Sequence, residues 1–342
     1  MMDFCLNRRE FIKRSGLLFL GLTSGVLLPN VSEAVRLDRK RYKVSRTNLL
    51  IGTVVSITVV DESKDKADDA IGAAFEEIKR LEGLFTRFDS KSPVGMLNNE
   101  GRLNGLPPEL ISMVRDSIKF NKLTHGAFDI TVKPVLDLYE GAYKKGTLPK
   151  EEEISNAIMK IGTEYIQIEG TDIAFQKHGM AITLDGIAKG FIVDKASERI
   201  SQLGVRNHLI NAGGDIRVSG ERKEGGPWKI AIQDPKKGKD YPDVISLSQG
   251  AIATSGNYEV FFDNERLFHH IVDPQSGKSP LELDSVSVVA SSCKEADALS
   301  TALFVMGPSK AKGFEESYPC QYLLITRDGK VSSSKGWNKI KA

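Results

Sequence analysis

The sequence predicts an α+β fold of mixed, largely antiparallel sheets with packed helices. Three observations carry that expectation. Strand-like runs rich in β-branched residues follow one another between 208 and 247 with no helix between them. Helical stretches stand apart at 65–85, 109–123, 186–203 and 294–305, whereas a parallel fold would alternate them with strands. The chain contains no internal repeat and no low-complexity tract.

The chain has 342 residues, enough for one large domain or two ordinary ones. Its first segment reads as an export leader over 1–34. Asn7-Arg8-Arg9-Glu10-Phe11-Ile12-Lys13 precedes an apolar run from Gly16 that stops at Pro29, and Ser32-Glu33-Ala34 offers small residues for a peptidase. The run is short for a membrane span, and the paired arginines resemble a twin-arginine signal. Cys5 lies before the apolar run, which excludes a lipoprotein. The mature protein is therefore expected outside the cytoplasm, with the membrane involved only through an uncleaved leader or a membrane-bound partner. Residues 35–48 are basic and polar and read as a flexible, poorly ordered linker. Residues 49–342 then form the functional domain.

Within that domain 49–60 reads as a strand and 65–85 as a helix, with Ala70, Ala74, Ile78, Leu81 and Phe85 at helical spacing. A loop is expected from Asp89 to Asn99. Pro107-Pro108 opens the helix at 109–123, because proline suits a first turn, and His125-Gly126-Ala127 ends it. A short helix is expected at 151–161, and 165–174 with 178–184 reads as a hairpin. Gly186-Ile187-Ala188-Lys189-Gly190 opens the helix at 186–203. Strands follow at 208–214, 216–220, 228–234 and 244–247. Runs at 252–262 and 268–272 flank a turn at Asp263-Asn264. A strand at 285–290, the helix at 294–305 and a strand at 321–326 close the fold.

Forty-seven basic residues against forty-five acidic ones leave a formal charge of +2, with no basic block beyond the N-terminus. Composition thus makes no case for nucleic acid. Three cysteines, one of them in the leader, are too few for a metal cluster.

The chemistry concentrates in the last third. On a helix, Asp297 and Thr301 stand one turn apart on the same face. A carboxylate and a hydroxyl so placed offer two hard oxygens to a small cation, and magnesium takes such ligands while keeping positions for phosphate. The neighbours Ala298, Leu299, Ala302 and Leu303 are apolar, so the carboxylate needs a partner or a metal. His269-His270 precedes a tight turn at Asp273-Pro274. Adjacent strand residues face opposite ways, so only one of the two histidines can face a site. The first turn of the helix at Gly186–Gly190 seats an anion on unpartnered N–H groups, with Lys189 between the glycines. The motif is neither a P-loop nor a Rossmann turn, which argues against an ordinary nucleoside-triphosphate enzyme. Gly213-Gly214 either permits a turn or lets backbone approach a planar ligand.

Together these segments resemble the ApbE family of FAD:protein FMN transferases over 51–306. Leu49-Leu50-Ile51-Gly52-Thr53 is similar to the family's Met-Gly-Thr strand, with Ile51 in place of Met. The stretch from Phe88 to Asn98 resembles its Phe/Tyr…Ser…Leu-Asn loop. Gly126-Ala127-Phe128-Asp129-Ile130-Thr131-Val132, Asn211-Ala212-Gly213-Gly214-Asp215, Ala253-Thr254-Ser255-Gly256, His270-Ile271-Val272-Asp273-Pro274 and the run from Ala296 to Thr301 match closely. The resemblance implies an ApbE-like flavin transferase fold and FAD as substrate, with Mg2+ on its pyrophosphate. It implies Asp297 and Thr301 as metal ligands with a backbone carbonyl near Gly186. Ile51, Phe88, Ala127, Phe128, Asp129, Lys189, Ile271 and Ser300 match the flavin site, and His270 aligns with the functional histidine.

One departure stands out. The family usually carries Asp-Leu-Gly before Gly/Ala-Ile-Ala-Lys-Gly; here the run is Thr183-Leu184-Asp185-Gly186. The acid has moved by two positions, and Asp185 is expected to take its role or to join the metal shell. The implied reaction is Mg-dependent transfer of FMN from FAD to a Thr/Ser hydroxyl of an exported redox acceptor protein, releasing AMP. The alternatives are an FAD pyrophosphatase, with water replacing the hydroxyl, and a non-catalytic FAD-binding protein.

Overall fold

A nine-stranded antiparallel sheet organises the chain; across it the strands run in the order 32–36, 42–50, 53–61, 207–212, 215–219, 249–256, 283–290, 321–326 and 331–333. The computed structural model describes residues 32–36, 41–222, 225–236, 241–258 and 269–342. The expected leader lies outside the described residues except for Ser32, Glu33 and Ala34, which begin β1 (Ser32–Arg36).

β2 (Tyr42–Leu50) and β3 (Thr53–Asp61) pair antiparallel from Tyr42↔Asp61 to Leu50↔Thr53. Residues 42–48 therefore belong to a strand and not to a poorly ordered linker. Only Val44 of β2 is fully buried, so the strand is held by its ladder and carries little apolar pattern to read. The strand expected at 49–60 is instead the closing half of a hairpin. Ile51 and Gly52 form its tip with φ of 46° and 71°. A two-residue turn of this kind needs both residues left-handed, a conformation a β-branched side chain rarely adopts.

α1 (Lys64–Phe85) starts at Ser63, whose side chain accepts from the Lys66 N–H, and buries Ala67, Ala70, Ile71, Ala74, Ile78, Leu81 and Phe85 along one face. The stretch expected as a loop contains α2 (Pro93–Glu100), capped by the Ser92 hydroxyl on the Gly95 N–H. β4 (Arg102–Leu103) and α3 (Pro108–Leu123) follow. A 3-10 turn at Ile130–Val132 then leads into α4 (Lys133–Lys144), which the sequence patterning does not announce, and α5 (Glu151–Ile158). The hairpin expected from 165–174 with 178–184 does not form; a shorter one lies at 166–175, where the first run folds back on itself. β5 (Ile166–Glu169) and β6 (Asp172–Phe175) pair across Gly170-Thr171, and β4 joins β6. His178 and Gly179 form a turn, Gly179 with φ 75°, and 180–184 join no ladder; there the Asn98 side chain makes both backbone bonds of Ile182, at 2.9 and 2.7 Å.

α6 (Ala188–Gln202) packs between α1 and the last helix. β7 (Asn207–Ala212) and β8 (Asp215–Ser219) join through Gly213-Gly214. β9 (Trp228–Ala231) and β10 (Val244–Leu247) form a separate hairpin. β11 (Gln249–Gly256), β12 (Leu283–Ala290), α7 (Cys293–Ser317), β13 (Gln321–Thr326) and β14 (Val331–Ser333) complete the order. The run at 259–268 lies outside the described residues. α7 breaks at Gly307, with φ 72° just before Pro308, so its first part ends about where the periodicity predicts.

The sheet is covered on both faces. Val55, Ile57, Val59, Ile210 and Ala212 meet α1 and α6 on one side. Val218, Ile252 and Val289 meet Trp228, Ile230, Ile245 and Trp337 on the other. Among the described residues no helix is long and apolar enough to cross a membrane. Cys293 and Cys320 are unbridged; burial raises both thiol pKa values, that of Cys320 to about 12.

Candidate active site

The N-terminal turns of α6 and α7 meet. The Gly190 N–H donates to Asp297 Oδ2 at 3.0 Å, and a Cβ at Gly190 would collide with the Cys293 carbonyl. Asp194, one turn further along α6, accepts from the N–H groups of Cys293 and Lys294 at 2.9 Å each. Burial raises its pKa against those bonds. Glycine is required at 190 because only a helix without a side chain there can approach this closely.

Asp297 is buried, and Thr301 lies one turn on beside Gly186: a Cβ at Gly186 would sit 3.1 Å from Thr301 Oγ1 and 3.4 Å from the Phe128 ring. The structure thus gathers Asp297, Thr301, Gly186 and Phe128. A chain of hydroxyls orders the protons here. Ser300 Oγ donates to the Asp297 carbonyl at 2.9 Å. Ser255 Oγ, on β11, lies 2.8 Å from Ser300 Oγ and 3.1 Å from Thr301 Oγ1. Each hydroxyl has one proton. With that of Ser300 committed, Ser255 donates to Ser300 and Thr301 donates to Ser255. Thr301 then presents lone pairs, not a proton, to whatever lies in front of it.

These donors fit a small hard cation. Among the described residues no three His, Cys, Asp or Glu side chains converge as a metal cage. The available set is one carboxylate, one hydroxyl oxygen and peptide carbonyls, which suits an ion that keeps positions for phosphate oxygens.

Two tight turns border the same place. A Cβ at Gly213 would collide with Thr53, and the Gly213 N–H donates to the Val54 carbonyl at 3.2 Å, so the Ile51-Gly52 and Gly213-Gly214 turns lie side by side. Asn211 Oδ1 accepts from the Gly214 N–H at 3.0 Å. The turn delivers Asp215, 1% exposed, whose Oδ2 lies 3.4 Å from Lys189 Nζ.

Ala127 and Phe128 follow a left-handed pair, His125 and Gly126, with φ of 52° and 85°. Asp129 accepts from the Thr131 N–H at 2.7 Å and from Asn121 Nδ2 at 3.0 Å. Burial pushes its carboxyl up to about 6 in spite of those bonds. The Ile130 carbonyl accepts from the Thr183 N–H at 2.7 Å, tying this loop to the run before Gly186. Asp185, half-exposed, accepts from Arg87 Nε at 2.9 Å. Phe88 is 52% exposed, with the Arg87 guanidinium 4.2 Å from its ring centre.

The two histidines separate clearly. His269 is buried; Nε2 meets the Pro280 carbonyl at 3.0 Å and Nδ1 takes the Ile271 N–H at 3.3 Å. Its ring stands edge-on to Phe304 of α7 at 5.5 Å. Both ring nitrogens of His269 therefore serve the fold. Ile271 packs with Leu299 and Leu303, so His270 is carried between two residues anchored on the helix that bears Asp297 and Thr301.

Three groups were not singled out as site residues from the sequence: Ser255, Asp215 and Arg87. Ser255 and Asp215 lie in motifs that signal a turn or strand end, and their partners are distant in the chain. Arg87 carries no pattern of its own.

A sequence model of the ApbE family matches residues 51–324. A protein named FAD:protein FMN transferase from Haemophilus influenzae is 28% identical over 342 residues, spanning 93% of this chain and 98% of that one. A protein of the same name from Escherichia coli K12 is 30% identical over 267 residues, spanning 74% of this chain and 75% of that one. The crystal structure of the ApbE protein from Thermotoga maritima superposes with a TM-score of 0.80 at 29% identity, covering 91% of this chain and all of that one (100%). The flavin transferase ApbE from Vibrio cholerae gives 0.76 at 25% identity, covering 91% and 100%.

Proposed function

The chain belongs to the ApbE family, and from that premise we propose that it transfers FMN from FAD to a Thr or Ser hydroxyl of an exported redox protein, releasing AMP. The observation that carries the proposal is the meeting of Asp297, Thr301 and Gly186 at the first turn of α6.

Asp297, Thr301 and the Gly186 carbonyl would hold magnesium, which when bound supplies charge neutralisation at the diphosphate. The Ile187 and Ala188 N–H groups are held by the Leu184 carbonyl and that of Gly190 by Asp297, so the anion seat read from the sequence is filled by the fold and the diphosphate is met there by charge. Lys189, tethered by Asp215, adds a point charge beside it. Ile51, Phe88, Ala127, Phe128, Asp129, Ile271 and Ser300 enclose the flavin half. Asp185 stands in for the acid that the family carries two positions earlier.

The acceptor hydroxyl attacks the phosphorus nearer riboflavin, and the bond from that phosphorus to the bridging oxygen breaks with its electron pair leaving on AMP. A hydroxyl is a poor nucleophile at neutral pH and needs a base. A ring nitrogen of His270 takes its proton, the usual role of an imidazole as general base. His269 is committed to the Pro280 carbonyl and the Ile271 N–H, which supports the choice of its neighbour. The Arg8-Arg9 leader supports an extracytoplasmic site of action on an exported acceptor.

The test is mass spectrometry of an acceptor domain bearing one flavinylation Thr or Ser, incubated with the protein, FAD and magnesium. The expected result is an added FMN on that hydroxyl, with AMP formed in equal amount. Free FMN without acceptor modification would instead identify a pyrophosphatase, and no turnover at all a flavin-binding protein.

A further inference from the structure

We infer that Arg87 is a positioning residue of this site: its guanidinium, bonded to Asp185 and Glu140 and laid on the Phe88 ring, holds the Asp185-Gly186 turn and the flavin-facing ring in one arrangement. The inference rests on the transferase reading and deepens it.

Two distant segments and the neighbouring Phe88 ring converge on Arg87. It lies two residues beyond the end of α1, and its side chain is 9% exposed. Nε donates to Asp185 Oδ2 at 2.9 Å, in the turn that precedes α6. Nη2 donates to Glu140 Oε1 at 3.1 Å, on α4. The guanidinium carbon stands 4.2 Å from the centre of the Phe88 ring. Burial acts to lower the pKa of this guanidinium, but Asp185 and then Glu140 raise it overall. The cation is thus taken out of water and compensated by two carboxylates.

The consequence lies at Gly186, next in the chain to Asp185 and packed against Thr301 and Phe128. Moving Asp185 moves the peptide that faces the metal donors. Without the guanidinium, Asp185 and Glu140 lose their common cation and repel each other across the space it filled. Lysine replaces it only in part: a single ammonium keeps the charge but lacks the planar fork that reaches two acids while stacking on a ring. The acid displaced by two positions from the family's pattern is therefore matched by a cation that pins it.

The experiment compares wild type with Arg87→Ala, Arg87→Lys, Asp185→Asn and the Arg87→Ala/Asp185→Asn double variant. FAD dissociation is read by flavin fluorescence with magnesium present. KM for FAD and kcat are read by FMN transfer to an acceptor, and thermal midpoints report folding. Arg87→Ala is expected to weaken FAD binding and raise KM by roughly 10- to 100-fold, the scale of a small misplacement at a reacting centre. Arg87→Lys should recover part of that, and the double variant should be no worse than Arg87→Ala, because both changes break one interaction. A lowered thermal midpoint with unchanged FAD affinity, KM and kcat would show a purely structural tie and overturn the inference. So would effects of the two single changes that add. A wild-type protein that transfers FMN beside an unaffected Arg87→Ala protein removes this inference alone; a wild type that transfers none removes the functional reading with it.

Discussion

Asp297 accepts the Gly190 N–H at 3.0 Å, so the residue proposed as a metal ligand also fastens one helix start to another. Replacing Asp297 by Asn keeps a side-chain oxygen for Gly190 but removes the negative charge. FMN transfer is expected to fall by at least ~100-fold, the scale for losing one preorganised charge-stabilising group, with the fold retained by circular dichroism. Chelation of divalent ions should abolish transfer in the wild type, and added magnesium should restore it. Undiminished turnover in Asp297→Asn would end the metal assignment.

Gly190→Ala is expected to destabilise the protein by about 1–3 kcal/mol, the usual range for overpacking, because the added methyl meets the Cys293 backbone rather than a movable side chain. Urea unfolding monitored by tryptophan fluorescence reads this directly. An unchanged midpoint would mean that the two helices can slide apart without cost.

Ser255→Ala removes the acceptor for the Thr301 proton and the donor to Ser300. Groups that orient metal ligands typically contribute 10- to 100-fold in metal affinity, and a loss of that size is expected in a magnesium titration of FAD turnover. Ser255→Thr, which restores the hydroxyl, should recover much of it. Equal magnesium dependence in wild type and Ser255→Ala would refute the hydroxyl relay.

Ile51 holds φ 46° at the β2–β3 tip, where a β-branched residue is strained. Ile51→Gly should raise the unfolding free energy by about 1 kcal/mol or leave it level, since glycine relieves the strain but gains unfolded-state entropy. FAD affinity should fall, because the side chain is proposed to lie against the flavin. Calorimetry and FAD titration on the same sample separate the two effects, and undiminished FAD affinity would remove Ile51 from the site.

Two groups give stability opposed pH dependences. Asp129 has its pKa pushed up to about 6 by burial, so the folded state holds its proton more tightly than the unfolded state does. Its contribution therefore falls as pH rises from about 4 to about 6. His208 is lowered to about 4, by burial and then by Arg217, so its contribution grows as pH rises from about 4 to about 6.5. Relative to wild type, Asp129→Asn should gain stability across its window and His208→Gln should lose it. Urea midpoints at several pH values test both, and parallel curves for wild type and either variant would show that its group does not titrate as described.

The parts legible in the sequence are those whose signal is local. The period of α1 and the Asp297–Thr301 spacing need only a few neighbours, and α6 and α7 form close to where the pattern puts them. β2 was hidden because a strand held by its ladder shows no apolar alternation. Residues 178–184 carry a strand-like pattern, yet Asn98 supplies the backbone bonds of Ile182 that a neighbouring strand would have made. Arg87 and Asp185 are separated by 98 positions, and nothing near either one names the other. Strand alternation does not choose between His269 and His270, which the family resemblance alone separates in the sequence; in the fold the Pro280 carbonyl and Phe304 engage His269.

The break at Gly307–Pro308 divides α7 into two segments with independent helical phase. One residue gained or lost beyond it turns the distal segment by about 100° and leaves the proximal one where it was. The distal turns can thus vary in length during evolution, while a carboxylate and an alcohol upstream keep a common azimuth.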